Sequence, residues 1–173
     1  MTLAMFTSEE FVKVTTAISD NLAGKYLRPA IMEAQDIRLK QIIGCALHAK
    51  LSDLIVTDAF RGDFNNDFSE DFATLLNGGN LKYKSILNRA QYYIAYTAAA
   101  ELLLKVSYKI ANMGVVRATD EHTESVSMAD INTLRNEYQN KADFYCQELQ
   151  RWLYNNRSLY PELTECDCER LHA

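Results

Sequence analysis

The run Tyr92–Leu104, YYIAYTAAAELLL, is apolar on nearly every side of a helix and is interrupted by Glu101. A helix with no polar face cannot lie on a surface, so it must be a central element with neighbours packed all round it. It also falls short of the roughly 18 uncharged residues that cross a bilayer. The spacing predicts one long helix from about Tyr83 to Asn112, ended by Gly114, and the rest of the chain must supply amphipathic partners for it.

One partner is evident downstream. Ile131, Tyr138, Tyr145 and Trp152 recur every seven residues, with Leu134, Ala142 and Leu149 on the same side. Ser127 followed by Asp130 caps this helix, which is expected to run to about Asn156 and to pack antiparallel to the first. Upstream, Thr7 and Glu10 have capping-box spacing for a short helix. Ser19, Asp20 and Asn21 are competent caps for a second one. Within it, Leu27, Ile31 and Ala34 form one stripe. Leu39, Ile42, Ile43, Ala46, Leu47, Leu51 and Leu54 form another, roughly 120° around the helix. A straight helix would have to bury two faces, so a bend or break is expected between Gln35 and Arg38. Gly44 marks a close helix contact or a second weak point.

Between these elements, residues 57–82 read as irregular, with a short glycine-ended helix in SEDFATLLNGG. After Gly114 the run VVRAT is β-like and introduces a polar loop, as a small hairpin or an extended arm. From Arg157 onward the chain reads as an extended tail. At 173 residues, 48% of them apolar, the chain is sized for one domain with a real core. The fold class expected is all-α with minor β. It would be a bundle of long antiparallel helices over 1–156, with a C-terminal tail over 157–173.

Composition narrows the function. A net charge of −5 argues against a broad surface gripping nucleic-acid phosphates. Four cysteines, at 45, 146, 166 and 168, do not make a disulfide framework, and MTLAMFTSEE shows no export pattern. A soluble protein of a reducing compartment is expected.

Candidate chemistry is sparse. Cys45 and His48, at i and i+3, could pair as thiolate and imidazole, but no third group or oxyanion site accompanies them. A small cysteine packed beside the apolar stripe is the simpler reading. Cys166, Cys168 and His172, with Cys146 as a fourth, match zinc spacing poorly. Asp63, Asn65, Asp67, Ser69 and Asp71 alternate as in a calcium loop, yet Phe68 and Thr74 stand where glycine and glutamate are required. The NGGN of Asn77–Asn80 lacks the context of a phosphate loop, and Asn156-Arg157-Ser158 matters only for secreted glycoproteins. The run around His122 reads as a solvated loop, and the tyrosines suit core packing better than base stacking. The sequence points to no enzyme, metal or cofactor.

The order of segments is more informative than any one of them. YLRPAIMEAQDIRLKQIIGCAL precedes LLNGGNLKYKSILNRAQYYIAYTAAAELL, then ANMGVVRA, then MADINTLRNEYQNKADFYCQELQRWLYNN and YPEL. From about Thr7 to Leu163 this order resembles the helical head–tail connector (adaptor) proteins of tailed bacteriophages, especially crAss-like phages of gut Bacteroidetes. The resemblance implies a non-enzymatic virion protein, made in the host cytoplasm, forming a twelvefold ring below the portal. It implies the portal protein and adjacent tail rings as partners, and a channel through which genomic DNA passes without sequence-specific binding. It also implies contacts through GVVRATDEHTES and the tail, hence Val115, Val116, Arg117 and Tyr160 as interface candidates. The cysteine-bearing end, TECDCERLHA, departs from the family pattern. Arg151 and Trp152 join the candidates because aromatic residues and arginine are enriched at interfaces, although each aromatic taken singly suits core packing better. Mild acidity is compatible with a DNA conduit, since a basic lumen would hold the genome. The alternative is a cytosolic helical binding module acting through its loop or tail. A third reading is a small metal enzyme using Cys166, Cys168 and His172.

Overall fold

The computed structural model describes residues 4–16, 18, 24–57, 81–111, 114–117 and 127–163. The chain is all-α in class: α1 (Glu9–Thr16), α2 (Gly24–Glu33), a π-helical turn (Ala34–Leu39), α3 (Lys40–Ile43), α4 (Cys45–Val56), α5 (Leu81–Ser107) and α6 (Met128–Asn155). A 3-10 turn, Arg157–Leu159, follows α6. Two short strands, β1 (Tyr108–Ala111) and β2 (Gly114–Arg117), pair antiparallel with Ile110 opposite Val115 and Tyr108 opposite Arg117.

α5 is the axis of the bundle. Tyr93, Ile94, Ala95, Ala98 and Ala99 are all buried, and at 100° per residue they cover about 240° of its circumference. The surrounding elements are α1, α2, the π-turn and α6. Tyr83 lies against Tyr160, Arg89 over Trp152, Tyr92 against Tyr145 and Tyr96 against Tyr138. One partner number rises as the other falls, so α5 and α6 run antiparallel. α5 ends at Ser107 rather than at Asn112. Its last expected turn reads YKIA, rich in strand-favouring residues, and pairs with GVVR instead.

The misfit between the two apolar stripes is resolved by the π-turn. A π-turn places one extra residue in a helix, which sets back everything after it by about 100°. Counted that way, Leu39 moves from about 120° to about 20° relative to Leu27, and Ile43 from about 160° to about 60°. Leu27, Ile31, Ala34, Leu39 and Ile43 then share one side, and all are fully buried. The expected bend is a rephasing. The true break comes at Gly44, whose φ of 83° and ψ of 161° suit glycine. Beyond it α4 buries Leu47, Leu51 and Leu54 but turns Ala46 outward, so the second stripe does not continue unbroken.

Two local readings change and a third stands. Ser8, not Thr7, caps α1, because Ser8 Oγ accepts from the Phe11 amide at 3.0 Å, while Thr7 is buried. The segment from Arg157 to Leu163 is no extended tail. Leu159 and Tyr160 are buried, and Leu163 packs on the core. The hydroxyl of Tyr160 donates to the Lys82 carbonyl at 2.8 Å, and that of Tyr83 donates to Glu162 at 2.6 Å, so this segment is clamped to the start of α5. Tyr160→Phe removes one bond of the clamp and is expected to cost about 1 kcal/mol in urea denaturation. The Ser127 cap stands, its side chain accepting from the Asp130 amide.

Candidate interface on the α5–α6 helix pair

α6 is 28 residues long, yet only Ala142, Leu149 and Leu153 are buried along it, all in its second half. Its heptad stripe lies at the border of the core: Tyr138, Tyr145 and Trp152 are half-buried and Leu134 is 39% exposed, while Phe144, next to the stripe, is 57% exposed. Such a helix keeps one edge on its own domain and offers the rest outward.

On that outward side, between α5 and α6, lies an open groove of about 390 Å³. Its wall carries a run of rings. Tyr92 stacks on Tyr145 at 5.1 Å and 17°, and Phe144 meets Tyr145 edge-on at 5.3 Å; outside the wall, Tyr96 stacks on the same Tyr145 ring at 5.6 Å and 8°. The Arg89 guanidinium sits 4.4 Å above the Trp152 ring while its Nη1 donates to the Ser85 carbonyl. Burial lowers the Arg89 pKa from its ordinary value, with Tyr160 opposing. At the rim, Arg151 pairs with Glu148 at 2.7 Å, and that arginine is largely exposed. Flat, rigid aromatic area edged by reversible ion pairs suits a protein surface that a partner covers, because it loses little side-chain entropy on contact.

Of the expected interface residues, the structure brings Arg151 and Trp152 together in this groove. Tyr160 lies behind Trp152, at 5.6 Å, as buried core rather than contact surface. Val115, Val116 and Arg117 form β2. Sequence reasoning missed Arg89, Tyr92 and Phe144. Tyr92 and Tyr96 do stand at i and i+4, the spacing that puts two rings on one helix face, but the apolar run around them obscured it.

Cys45 and His48 are turned apart. Cys45 is exposed, correcting its expected place in the core, whereas His48 is buried against the Phe6 ring at 4.9 Å. His48 Nε2 lies 3.4 Å from Asp36 Oδ1. Burial lowers its pKa from 6.5, with Lys40 adding to that and Asp36 and the Gln35 carbonyl opposing. The unfolded imidazole therefore takes up a proton before the folded one does. Stability is expected to be unaffected well above 6.5 and to fall as pH drops through 6.5 toward the folded value. Denaturation midpoints of wild type and His48→Gln across that range check this, the variant losing the slope.

Among the described residues no group of three or more His, Cys, Asp or Glu side chains could hold a metal, and no helix is long and apolar enough to cross a membrane. The Cys166, Cys168 and His172 set, the calcium-like Asp63–Asp71 run, the NGGN segment, His122 and the caps at 19–21 lie outside the described residues.

A family model matches residues 39–171, which include every residue lining the groove. The chain belongs to DUF6712, a family of unknown function. No curated protein and no solved structure matches it. The matched span of this DUF6712 chain holds α5, both strands, α6 and the C-terminal clamp, and leaves out α1 and α2.

Proposed function

We propose that this DUF6712 protein is a structural virion protein, a head–tail connector that forms a ring below the portal, joins it to the tail and leaves a channel for DNA. The order of segments supports this reading through its resemblance to phage connectors. The observation that carries it furthest is the outward side of α6, where Phe144 is 57% exposed beside a groove of stacked tyrosines. Copies in a ring meet heterologously, one face of each against a different face of the next, and such a face needs apolar area that its own domain leaves uncovered.

The test is assembly. Purified protein mixed with the portal protein of the same phage should form rings visible by negative-stain microscopy, and virion mass spectrometry should find the chain in fixed ratio to the portal. Phe144→Glu should abolish ring formation while costing about 1 kcal/mol or less of monomer stability, since the residue is exposed. A wild-type chain absent from virions and unable to join the portal would favour the binding-module reading instead.

A further inference from the structure

A second open groove, of about 770 Å³, lies beside the first. Met5, Phe11, Val14 and Ile55 give it apolar walls, and it meets the α5–α6 groove at Asn88, which lines both. The Phe11 ring touches Tyr92 of the first groove edge-on at 5.1 Å. α1, α5 and α6 therefore present one continuous side. Ten residues line the first groove and thirteen the second, so 22 share that side with Asn88 counted once. A standard protein interface takes roughly 20–30 residues from each partner. The charges on this side divide. In the first groove Arg151 is taken by Glu148, whereas Arg89, a guanidinium that stays charged, forms no salt bridge with a described residue. In the second, Glu9 is taken by Arg28 at 3.0 Å, whereas the exposed Glu10 forms none with a described residue. One groove is left with a single positive charge and its neighbour with a single negative one.

We propose that a second copy of this chain covers this side, forming a two-fold pair. Two patches side by side and opposite in charge are self-complementary. A half-turn about an axis passing between them sets each patch on the opposite patch of the other copy, as a two-fold interface requires. That axis runs near Asn88, the residue common to both grooves. Glu10 of each copy then faces Arg89 of the other, and the contact is made twice. Apolar area follows the charge. Glu10 and Val14 stand one turn apart on α1, so a carboxylate and an apolar side chain share one face of that helix. Val14 is 78% exposed and exceeds every other large apolar side chain among the described residues, with Phe144 next. Each lines a different groove, and the half-turn brings the Val14 patch of one copy onto the Phe144 patch of the other. The pair does not rest on the connector reading, although both use the α5–α6 groove.

The experiment is sedimentation equilibrium of the full chain alone, over a wide range of concentration and without the portal. The wild-type chain should pass from monomer to dimer and stop there. Glu10→Arg and Arg89→Glu should each weaken the dimer about tenfold or more, because each sets like charges together at both contacts. Combined in one chain, the two changes restore opposite charges and should regain most of the loss. Val14→Glu should weaken the dimer as well. Arg89 also covers the Trp152 ring and donates to the Ser85 carbonyl, so near-UV circular dichroism of its variants must match wild type. Where Arg89→Glu fails that check, Glu10→Arg and Val14→Glu decide alone, since both positions are exposed. A chain that stays monomeric at every concentration, that grows beyond two copies, or that dimerises equally well with Glu10→Arg and Val14→Glu overturns the proposal. Portal binding is a separate result: a monomer that joins the portal removes the pair and keeps the connector, and a dimer that never joins it does the reverse.

Discussion

Leu149→Ala is expected to lower the unfolding free energy by about 2–5 kcal/mol, the range for removing a fully buried leucine side chain without complete collapse of the space it leaves. The position matters because α6 rests on the body through so few buried residues: Ala142, Leu149 and Leu153. Leu134 was expected on the same side of α6 as Leu149 but is 39% exposed. Leu134→Ala should therefore stay within about 0.5 kcal/mol of wild type, because surface changes remove little packing and alanine suits a helix. Urea denaturation followed by circular dichroism at 222 nm measures both. Equal losses at the two positions would show that α6 packs along its whole length, and the outward side on which the connector reading rests would disappear.

The contrast between those two leucines also shows how far the sequence could be read. Helical periodicity placed them on one side, because a period reports which residues share a face of their own helix. It does not report where along that face the neighbouring helix lies. The Tyr92–Leu104 run was legible because the absence of a polar side is a property of one segment alone. Ser127 was legible for the same reason, its bond to the Asp130 amide lying within one turn. Tyr160 was not. Beside Pro161 and in polar company it reads as tail, and its burial depends on a carbonyl at Lys82, far away in sequence. The groove was half legible: Arg151 and Trp152 stand out by residue type, whereas Tyr92 and Phe144 gain meaning only when α5 and α6 lie antiparallel.

Gln35 is the sharpest case of a role that no local pattern announces, and its replacement carries the other large expected effect. It sits inside the π-turn, 1% exposed, and its side chain reaches back to the N-terminal segment. Oε1 accepts from the Phe6 amide at 2.9 Å, while Nε2 donates to the Ala4 carbonyl at 2.8 Å and to Asp36 Oδ1 at 2.9 Å. Gln35→Leu keeps the approximate shape of the side chain but leaves the buried Phe6 amide and the Ala4 carbonyl without that partner. Each orphaned group costs about 1–3 kcal/mol, so a loss of about 2–4 kcal/mol is expected by urea denaturation. A second readout separates this from general loosening. Phe6 is the ring that covers His48, and burial is the main cause of the low His48 pKa. If the N-terminal segment detaches, the His48 titration followed by NMR should move back up toward 6.5. A loss under about 1 kcal/mol, with the His48 titration unmoved, would mean that Gln35 is not what fastens that segment. The π-turn would then be held by apolar rephasing alone, since Leu27, Ile31, Leu39 and Ile43 can share one side only if the extra residue is present.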